Sequence, residues 1–291
     1  AAHDRSRFEI RLYSYGRADA SEWRQRLVAG SDDFVEIAGL GLCEAASRIR
    51  ADGVDVLVDL KGFTREGRPE LFALRPAPVQ VNYLGYPGTM GAAWYDGFVT
   101  DGICSPPGSE AHFAERLVYL PGSYQVNDRD QAIAQTAPSR AECGLPGEGV
   151  VYCCFNQTYK IEPALFDVWM RILGHVSDSV LWLFRSHAQA EDNLRREAER
   201  RGIDPARLVF AGKLPKAEHL ARHRHADLFL DTLRVNAHTT ASDALWAGVP
   251  VLTCPGETFQ SRVAASLLHA VGLPELVMSD LEAYEATAVR L

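Results

Sequence analysis

The sequence predicts an α/β protein built from two doubly wound domains. Short apolar runs of strand length alternate with amphipathic stretches along most of the chain, a pattern typical of parallel sheets covered by helices on both faces. Residues 121–149 break this alternation once, because they are rich in Gln, Asp, Ala, Pro and Gly. The length of 291 residues corresponds to about two domains of ~150 residues. We therefore predict domains at 1–125 and 149–291, with a linker at 126–148.

The first domain is predicted from five strand-like and two helix-like segments. Residues 8–15 alternate polar and apolar side chains, residues 43–50 suit a helix, and residues 54–60 suit a buried strand that ends near Gly62. A helix is expected at 69–74, and a strand at 79–86 that stops at Pro87 and Gly88. The apolar runs at 98–100 and 117–120 complete the strands.

The second domain is predicted from five apolar strands separated by helices. The strands are expected at 150–155, 180–184, 208–211, 228–230 and 249–252, and the helices at about 162–174, 188–201, 215–224, 239–247 and 261–270. Two doubly wound domains that face each other leave a cleft at the carboxyl ends of their strands, where such folds bind ligands. We therefore expect the functional residues to follow strands.

Composition and charge limit the classes of partner. The chain has 30 basic and 38 acidic residues, a net charge of -8 and a pI near 5.6, which argues against a surface for duplex nucleic acid. The apolar runs fall short of the ~18 to 20 residues of a membrane span, and residues 1–7 contain no signal-like segment. We predict a cytoplasmic protein without nucleic-acid or membrane partners.

The six cysteines form no C-x-x-C pair and have no histidine at metal-ligand spacing. Three of them lie in strand-like apolar runs and are predicted to be buried free thiols, and the adjacent residues Cys153 and Cys154 fall in one such run. Neighbouring residues of a strand point to opposite faces, so Cys153 and Cys154 are not expected to form a redox pair. We predict no metal site.

One segment, residues 227–253, carries the strongest local signal. It predicts a strand, then a polar turn, then a helix that begins at His238, Thr239 and Thr240. The first four N–H groups of a helix lack an internal partner and lie at the positive end of its dipole, so this turn suits a bound anion. A plain helix cap also explains the two threonines.

Cations and aromatic rings follow two other predicted strands of the second domain. Residues 156–160 end in Lys160, and residues 212–219 include Lys216 and His219, with Arg222 one turn further on. Each of these residues alone could be a solvated surface residue, but together they follow strands at one edge of the predicted sheet, which favours a ligand site. The glycine-containing loops at 62–68 and 84–91 of the first domain match neither the dinucleotide nor the P-loop pattern.

Four segments closely resemble the catalytic region of the protein O-GlcNAc transferases: 74–91, 154–163, 236–251 and 255–266. The chain is similar to a bacterial member of that family, without the long spacer that animal members carry between the two halves. The resemblance implies a GT-B glycosyltransferase with two Rossmann-like domains facing a cleft. It also implies inverting, metal-independent transfer of N-acetylglucosamine from UDP-GlcNAc to Ser or Thr hydroxyls of a protein or peptide acceptor, with no cofactor.

The resemblance also implies roles for individual residues. Gln157 and Lys160 would hold the diphosphate, with Lys160 as the catalytic residue. His238, Thr239 and Thr240 would seat the phosphates at the start of their helix.

The remaining donor contacts are implied in the same way. Asp243 would bind the ribose hydroxyls, Lys216 would flank the uridine, and His219 would stack on it. The backbone of Leu214 would lie near the uracil edge, and Arg222 would support this group.

In the first domain, the resemblance places Leu84 and Gly85 in the sugar pocket, and Arg65 stands where the animal enzymes have a lysine. Family members also have tetratricopeptide repeats and a segment with two histidines upstream, and closing helices downstream. His3 aligns with neither histidine, so we expect the sequence to be a fragment or excised region of a longer protein, or a chain that pairs with another piece. The general base and the acceptor preference are therefore not predicted.

Two alternatives stay open at this point. The first is another UDP-sugar enzyme on the same fold, such as a small-molecule glycosyltransferase or an epimerase. An epimerase needs carboxylates placed for acid and base work, and the predicted rim offers no evident pair. The second is a domain that binds a UDP-sugar without turnover because the upstream histidine segment is missing.

Overall fold

A computed structural model describes residues 3–291, which form two compact units. The first unit contains the residues up to Phe98 together with His112–Leu117, and the second contains Val99–Ala111 and Val118–Leu291. Residues 126–148 consist of turns and irregular backbone. The domain limits at 1–125 and 149–291 stay a prediction.

Strands and helices alternate from the start of the described chain. The elements up to residue 119 are β1 (Arg11–Ser14), α1 (Glu22–Gly30), β2 (Asp33–Glu36), α2 (Leu42–Ala51), β3 (Val56–Asp59), α3 (Pro69–Ala73), β4 (Val79–Asn82), β5 (Gly97–Thr100) and β6 (Arg116–Tyr119). Strands β1 and β2 form a parallel pair, and the other four form a sheet in the order β3-β4-β5-β6. The core of the first unit contains Ile37, Ile49, Leu71 and Phe72, so α2 and α3 bury their apolar faces together.

The second unit contains a five-stranded parallel sheet. Its elements are β7 (Val150–Cys154), α4 (Pro163–His175), β8 (Ser179–Phe184), α5 (Ala188–Arg200), β9 (Leu208–Ala211), α6 (Lys216–Arg222), β10 (Leu228–Leu230), α7 (Thr239–Trp246), β11 (Val251–Leu252), α8 (Val263–Ala270) and α9 (Leu281–Arg290). The strand order is β11-β10-β7-β8-β9. Helices cover both faces, which explains why these strands are continuous apolar runs.

The strand order locates the topological switch point of this sheet. From β7 the chain adds β8 and β9 on one side, and then crosses back to add β10 and β11 on the other. The loops that follow β7 and β10 therefore diverge at a topological switch point, where doubly wound sheets bind their ligands. These two loops carry residues 156–160 and 231–238.

The structure confirms the predicted alternation and corrects several bounds. The strand predicted at 79–86 ends at Asn82, because Leu84 adopts a positive φ of 73° and cannot continue an extended strand. The strand predicted at 8–15 is limited to β1, and a 3-10 turn at Phe259–Ser261 precedes α8. Helices α1 and α9 and strand β2 were not predicted. None of the described helices is both long and apolar enough to cross a bilayer.

All six cysteines are free. Cys153 and Cys154 are buried in β7, as predicted, and burial raises the pKa of both thiols. Cys254 is half-buried and lies two residues beyond the end of the short strand β11.

Candidate functional site

The loop after β7 brings a lysine to the switch point. A 3-10 turn at Thr158–Lys160 follows the strand, and Lys160 Nζ donates a hydrogen bond to the carbonyl oxygen of Asn236 at 3.0 Å. Burial lowers the pKa of Lys160, and the negative charge of Asp231 opposes that shift. Gln157 lies at the start of the turn and is exposed. The turn therefore presents one half-buried cation beside one exposed amide.

The loop after β10 is organised around a carboxylate. Asp231 is fully buried, and its side chain accepts hydrogen bonds from the backbone N–H groups of Thr232 at 2.7 Å and Ala237 at 2.6 Å. The hydroxyl of Thr253, just beyond β11, donates to the other carboxylate oxygen at 2.7 Å. These bonds fix the path of residues 232–237, which lead into α7.

The first turn of α7 has the geometry of an anion site. His238 occupies the N-cap position, but its side chain does not cap the helix. Its ring instead donates from Nε2 to the carbonyl oxygen of Gln260 at 3.2 Å, and burial lowers the pKa of His238 to about 4, so the ring is neutral at pH 7. The Thr240 hydroxyl donates to Asn156 Oδ1, and Thr239 is exposed. The amides of this turn are thus left for an incoming anion.

Helices α6 and α7 meet through charged side chains. Lys216 Nζ forms an ion pair with Asp243 Oδ1, and His219 Nε2 lies 3.9 Å from Asp243 Oδ2. Burial raises the pKa of Asp243, and the hydrogen bond from Lys216 opposes that shift. Burial lowers the pKa of His219 to about 3, helped by the charges of neighbouring groups, so its ring stays neutral. Asp243 and His219 thus place a carboxylate beside a neutral ring where α6 meets α7.

The buried Arg222 side chain stabilises the loop that precedes α6. Its side chain is 3% exposed, and the guanidinium carbon lies 4.8 Å from the ring centre of Phe155 and 5.7 Å from that of Trp182. Arg222 Nη1 donates to the carbonyl oxygen of Gly212 at 2.6 Å. It therefore holds the loop that carries the half-buried Leu214.

The three predicted residues of the first unit have different surroundings. Leu84 adopts the left-handed φ of 73°, which is uncommon for a side chain of its size. A Cβ atom on Gly85 would lie 2.2 Å from the carbonyl oxygen of Leu60, so the close approach of two backbones requires glycine. Arg65 is 94% exposed, with its Nε 3.8 Å from Glu66.

Sequence reasoning missed Asp231 and gave no role to Asn156. Both are buried; Asp231 directly follows β10, and Asn156 lies two residues beyond the end of β7. A polar residue at the carboxyl end of an apolar strand is the signal that points to them. Residues 3–291 contain no group of three His, Cys, Asp or Glu side chains that could hold a metal ion. Metal independence remains a prediction.

The second unit is thus an α/β protein with a doubly wound parallel sheet, and the first turn of α7 and the Asp243 carboxylate lie beyond its topological switch point. Its family follows from comparison with known proteins. The chain belongs to glycosyl transferase family 41, whose model matches residues 1–137 and 133–291. This confirms the predicted family.

Two curated relatives match nearly the whole chain. The probable UDP-N-acetylglucosamine–peptide N-acetylglucosaminyltransferase SEC of Arabidopsis thaliana is 39% identical over 295 residues, covering 99% of this chain and 30% of the relative. The UDP-N-acetylglucosamine–peptide N-acetylglucosaminyltransferase of Caenorhabditis elegans is 31% identical over 401 residues, covering 99% and 35%. The chain thus spans about a third of the length of these relatives.

Two solved structures share the fold. A lysine-to-methionine variant of the O-GlcNAc transferase of Thermobaculum terrenum is 35% identical, with a TM-score of 0.89, over 99% of this chain and 55% of that one. A glycosyltransferase of Rickettsia africae is 10% identical, with a TM-score of 0.52, over 97% and 94% of the two chains, which shows the fold alone. The predicted α/β fold of the GT-B type is confirmed.

Proposed function

We propose that this chain is the catalytic region of an enzyme that transfers N-acetylglucosamine from UDP-GlcNAc to Ser or Thr hydroxyls of proteins. Membership of glycosyl transferase family 41 and the names of its relatives support this activity. The observation that carries it is the convergence, within one unit, of Lys160, the first turn of α7 and the Lys216–Asp243 pair. Together these suit the diphosphate and the nucleoside of one donor.

The donor contacts follow the order of the groups along α7. The diphosphate would accept hydrogen bonds from the amides of Thr239 and Thr240, from the Thr239 hydroxyl and from Lys160. Gln157 would lie at the edge of this site, and His238 would lie behind the turn. One turn further on, the Asp243 carboxylate would accept from the ribose hydroxyls.

The base would lie beyond the ribose, on α6. The neutral ring of His219 would stack on the uracil, beside the backbone of Leu214, while Lys216 flanks the nucleoside and Arg222 holds the loop. In the first unit, we assign Leu84 and Gly85 to the transferred sugar and retain Arg65 as a candidate contact.

Transfer forms a bond from the acceptor oxygen to the anomeric carbon, breaks the bond from that carbon to the diphosphate oxygen, and releases the hydroxyl proton to a base that we do not assign. The electron pair leaves with UDP, so negative charge grows on the diphosphate and needs fixed positive groups. Lys160 and the positive end of α7 are such groups in a partly dry site. These groups would stabilise the negative charge on the diphosphate, as a divalent cation does in other enzymes. Attack from the face opposite the diphosphate inverts the configuration of the anomeric carbon. We therefore propose inverting, metal-independent transfer.

The proposal is tested in two steps on the same protein. Calorimetry should detect UDP binding. UTP, which differs from UDP in the number of phosphates, and ADP, which differs in the base, are the matched controls. Labelled UDP-GlcNAc and a Ser/Thr peptide should then give labelled peptide at an unchanged rate in EDTA. Failure to bind UDP overturns the nucleotide site. Binding without transfer overturns the enzymatic proposal and favours a donor-binding domain.

The net charge bears on the partners of the chain. The acidic balance of charge supports acceptors other than nucleic acid, and the cytoplasmic location stays a prediction. A salt titration of binding to duplex DNA checks the first point, because a phosphate-binding surface would show a steep dependence on salt.

A further inference from the structure

Asp231 lies where three separate segments of the second unit meet. Its backbone follows β10, its side chain accepts from Thr232 and Ala237 in the next loop, and Thr253 donates to it from beyond β11. The Tyr284 hydroxyl of α9 donates to its carbonyl oxygen at 3.1 Å. Because the fully buried carboxylate accepts hydrogen bonds from Thr232, Ala237 and Thr253, it is held in one orientation.

The same carboxylate is joined to both halves of the anion site. Asn156, after β7, donates from Nδ2 to the Thr232 hydroxyl at 2.8 Å and, more weakly, to Asp231 Oδ1 at 3.4 Å. Its Oδ1 accepts from Thr240 in the first turn of α7. One amide side chain therefore links the loop after β7, the Asp231 carboxylate and the start of α7.

Lys160 depends on the loop that Asp231 shapes. Its partner is the carbonyl oxygen of Asn236, the residue before Ala237, whose N–H is bound by the Asp231 carboxylate. Asn236 Nδ2 donates to the carbonyl oxygen of Thr232 at 2.6 Å, which closes the loop on itself. If the carboxylate were lost, Ala237 and Thr232 would lose their acceptor and the Asn236 carbonyl would move.

We propose that Asp231 is a positioning residue for transfer: it sets the loop 232–238 so that Lys160 and the first turn of α7 meet the same diphosphate. This rests on the proposed function. Asp231 acts through the loop and through its charge on Lys160. It does not touch the donor.

The charge has a measurable consequence. The titratable groups that face Asp231 are Lys160 after β7, the Cys154 thiol on β7 and the Tyr284 phenol on α9. Burial raises the pKa of the Cys154 thiol and of the Tyr284 hydroxyl, so both are neutral at pH 7. Burial also raises the pKa of Asp231 to about 7, and the charge of Lys160 opposes this shift. Removing the Asp231 charge should therefore lower the pKa of Lys160 further.

The test compares two substitutions at this position. Asp231→Asn keeps an oxygen for the Thr232 and Ala237 amides and turns its NH₂ group toward the Thr253 hydroxyl, which can accept. Asp231→Ala removes the acceptor altogether. We expect Asp231→Ala to lower kcat and UDP affinity at least about tenfold. Asp231→Asn should restore most of the UDP affinity, while the alkaline limb of its kcat profile shifts to lower pH.

Asp101 provides the matched control. It is fully buried in the same unit, directly follows β5, and accepts from the Ile103, Cys104 and Tyr124 amides and the Ser266 hydroxyl. Asp101→Ala should lower the melting temperature about as much, yet leave the UDP affinity and the alkaline limb unchanged. Thr253→Val is the second variant should Asp231→Ala fail to fold. It removes one donor to Asp231 and should lower kcat more than UDP affinity.

Each outcome decides the inference separately from the proposed function. If the wild-type chain neither binds UDP nor transfers sugar, the proposed function fails. If the wild type is active and folded Asp231→Ala keeps its kcat and UDP affinity, the positioning role is wrong. It is also wrong if the Asp231→Asn profile does not shift, or if Asp101→Ala loses as much UDP affinity.

Discussion

Lys216 on α6 and Asp243 on α7 form an ion pair that joins the two helices of the proposed nucleoside site. Asp243 is 5% exposed, whereas about a third of the Lys216 side chain remains exposed. Burial alone would favour the protonated carboxyl, and the hydrogen bond from Lys216 opposes this. The lysine therefore helps to keep Asp243 ionised, in the form that accepts best from ribose hydroxyls.

Replacing Lys216 should make UDP binding more sensitive to acid. In Lys216→Met, the pKa of Asp243 should rise further, so its carboxylate is protonated at a higher pH than in the wild type. We expect UDP affinity to fall more steeply with falling pH than in the wild type, by up to about tenfold. Calorimetry at pH 6, 7 and 8 measures the effect. Lys213→Met, at an exposed position, is the control, and equal pH dependence in all three proteins would contradict the role of the pair.

Replacing Lys160 should separate catalysis from binding. Lys160→Met should leave UDP affinity within about tenfold but slow transfer by roughly 100-fold to 1000-fold, because the lysine meets charge that grows during bond breaking. A peptide transfer assay and UDP calorimetry on one preparation measure both quantities. Wild-type turnover in this variant would remove Lys160 from the mechanism.

His219 should act as a neutral ring. Burial lowers its pKa to about 3, so no protonation of His219 should contribute to UDP binding between pH 5 and 8. His219→Phe should retain most of the affinity, whereas His219→Ala should weaken UDP about 5- to 150-fold through lost stacking. The NMR shift of the His219 C2 proton should stay flat over that interval. A titration near pH 6.5, or equal losses in both variants, would refute the assignment.

The same depressed pKa affects stability. Unfolded histidine titrates near 6.5, whereas folded His219 titrates near 3, so between these values the unfolded state binds more protons. His223 and His238, whose folded pKa values are about 4, act in the same direction. Asp231, with its raised pKa, acts in the opposite direction. Urea unfolding from pH 7 to 4.5 should show falling stability, with a smaller fall in His223→Gln, and an identical slope would exclude His223 as a source.

Gly85 should be required for backbone packing. A Cβ atom there would lie 2.2 Å from the Leu60 carbonyl oxygen, whereas on Gly88 its nearest neighbour would be a Tyr86 ring carbon at 3.6 Å. Gly85→Ala should cost about 1–3 kcal/mol of the free energy of unfolding, and Gly88→Ala within about 0.5 kcal/mol. Chemical denaturation of both variants measures this. Equal stability of the two variants would contradict a packing role for Gly85.

Much of the second unit could be predicted from local sequence patterns, because those patterns depend only on neighbouring residues. The strand, polar turn and helix at β10 and α7 follow from apolar runs and helix-start residues within one segment. Helix α1 was missed because none of its residues is buried, so its sequence carries little amphipathic signal.

The pairings that build the site could not be predicted in this way. Lys160 contacts Asn236 only because the chain crosses back after β9 and places β10 beside β7. The local sequence of neither segment predicts this strand order. Arg222 has the spacing of a solvated helix residue, yet it lies against Phe155 and Trp182 because α6 packs on the sheet at that point. Thr253 and Asn156 donate to the Asp231 carboxylate from 22 and 75 residues away along the chain, and no local pattern reports these two contacts.

A crystal structure of this chain with UDP tests the central claim most directly. We expect the diphosphate at the amides of Thr239 and Thr240 within reach of Lys160, and the ribose hydroxyls on Asp243. The uracil should lie on the His219 ring. UDP bound elsewhere, or with its phosphates turned away from the first turn of α7, would contradict the account.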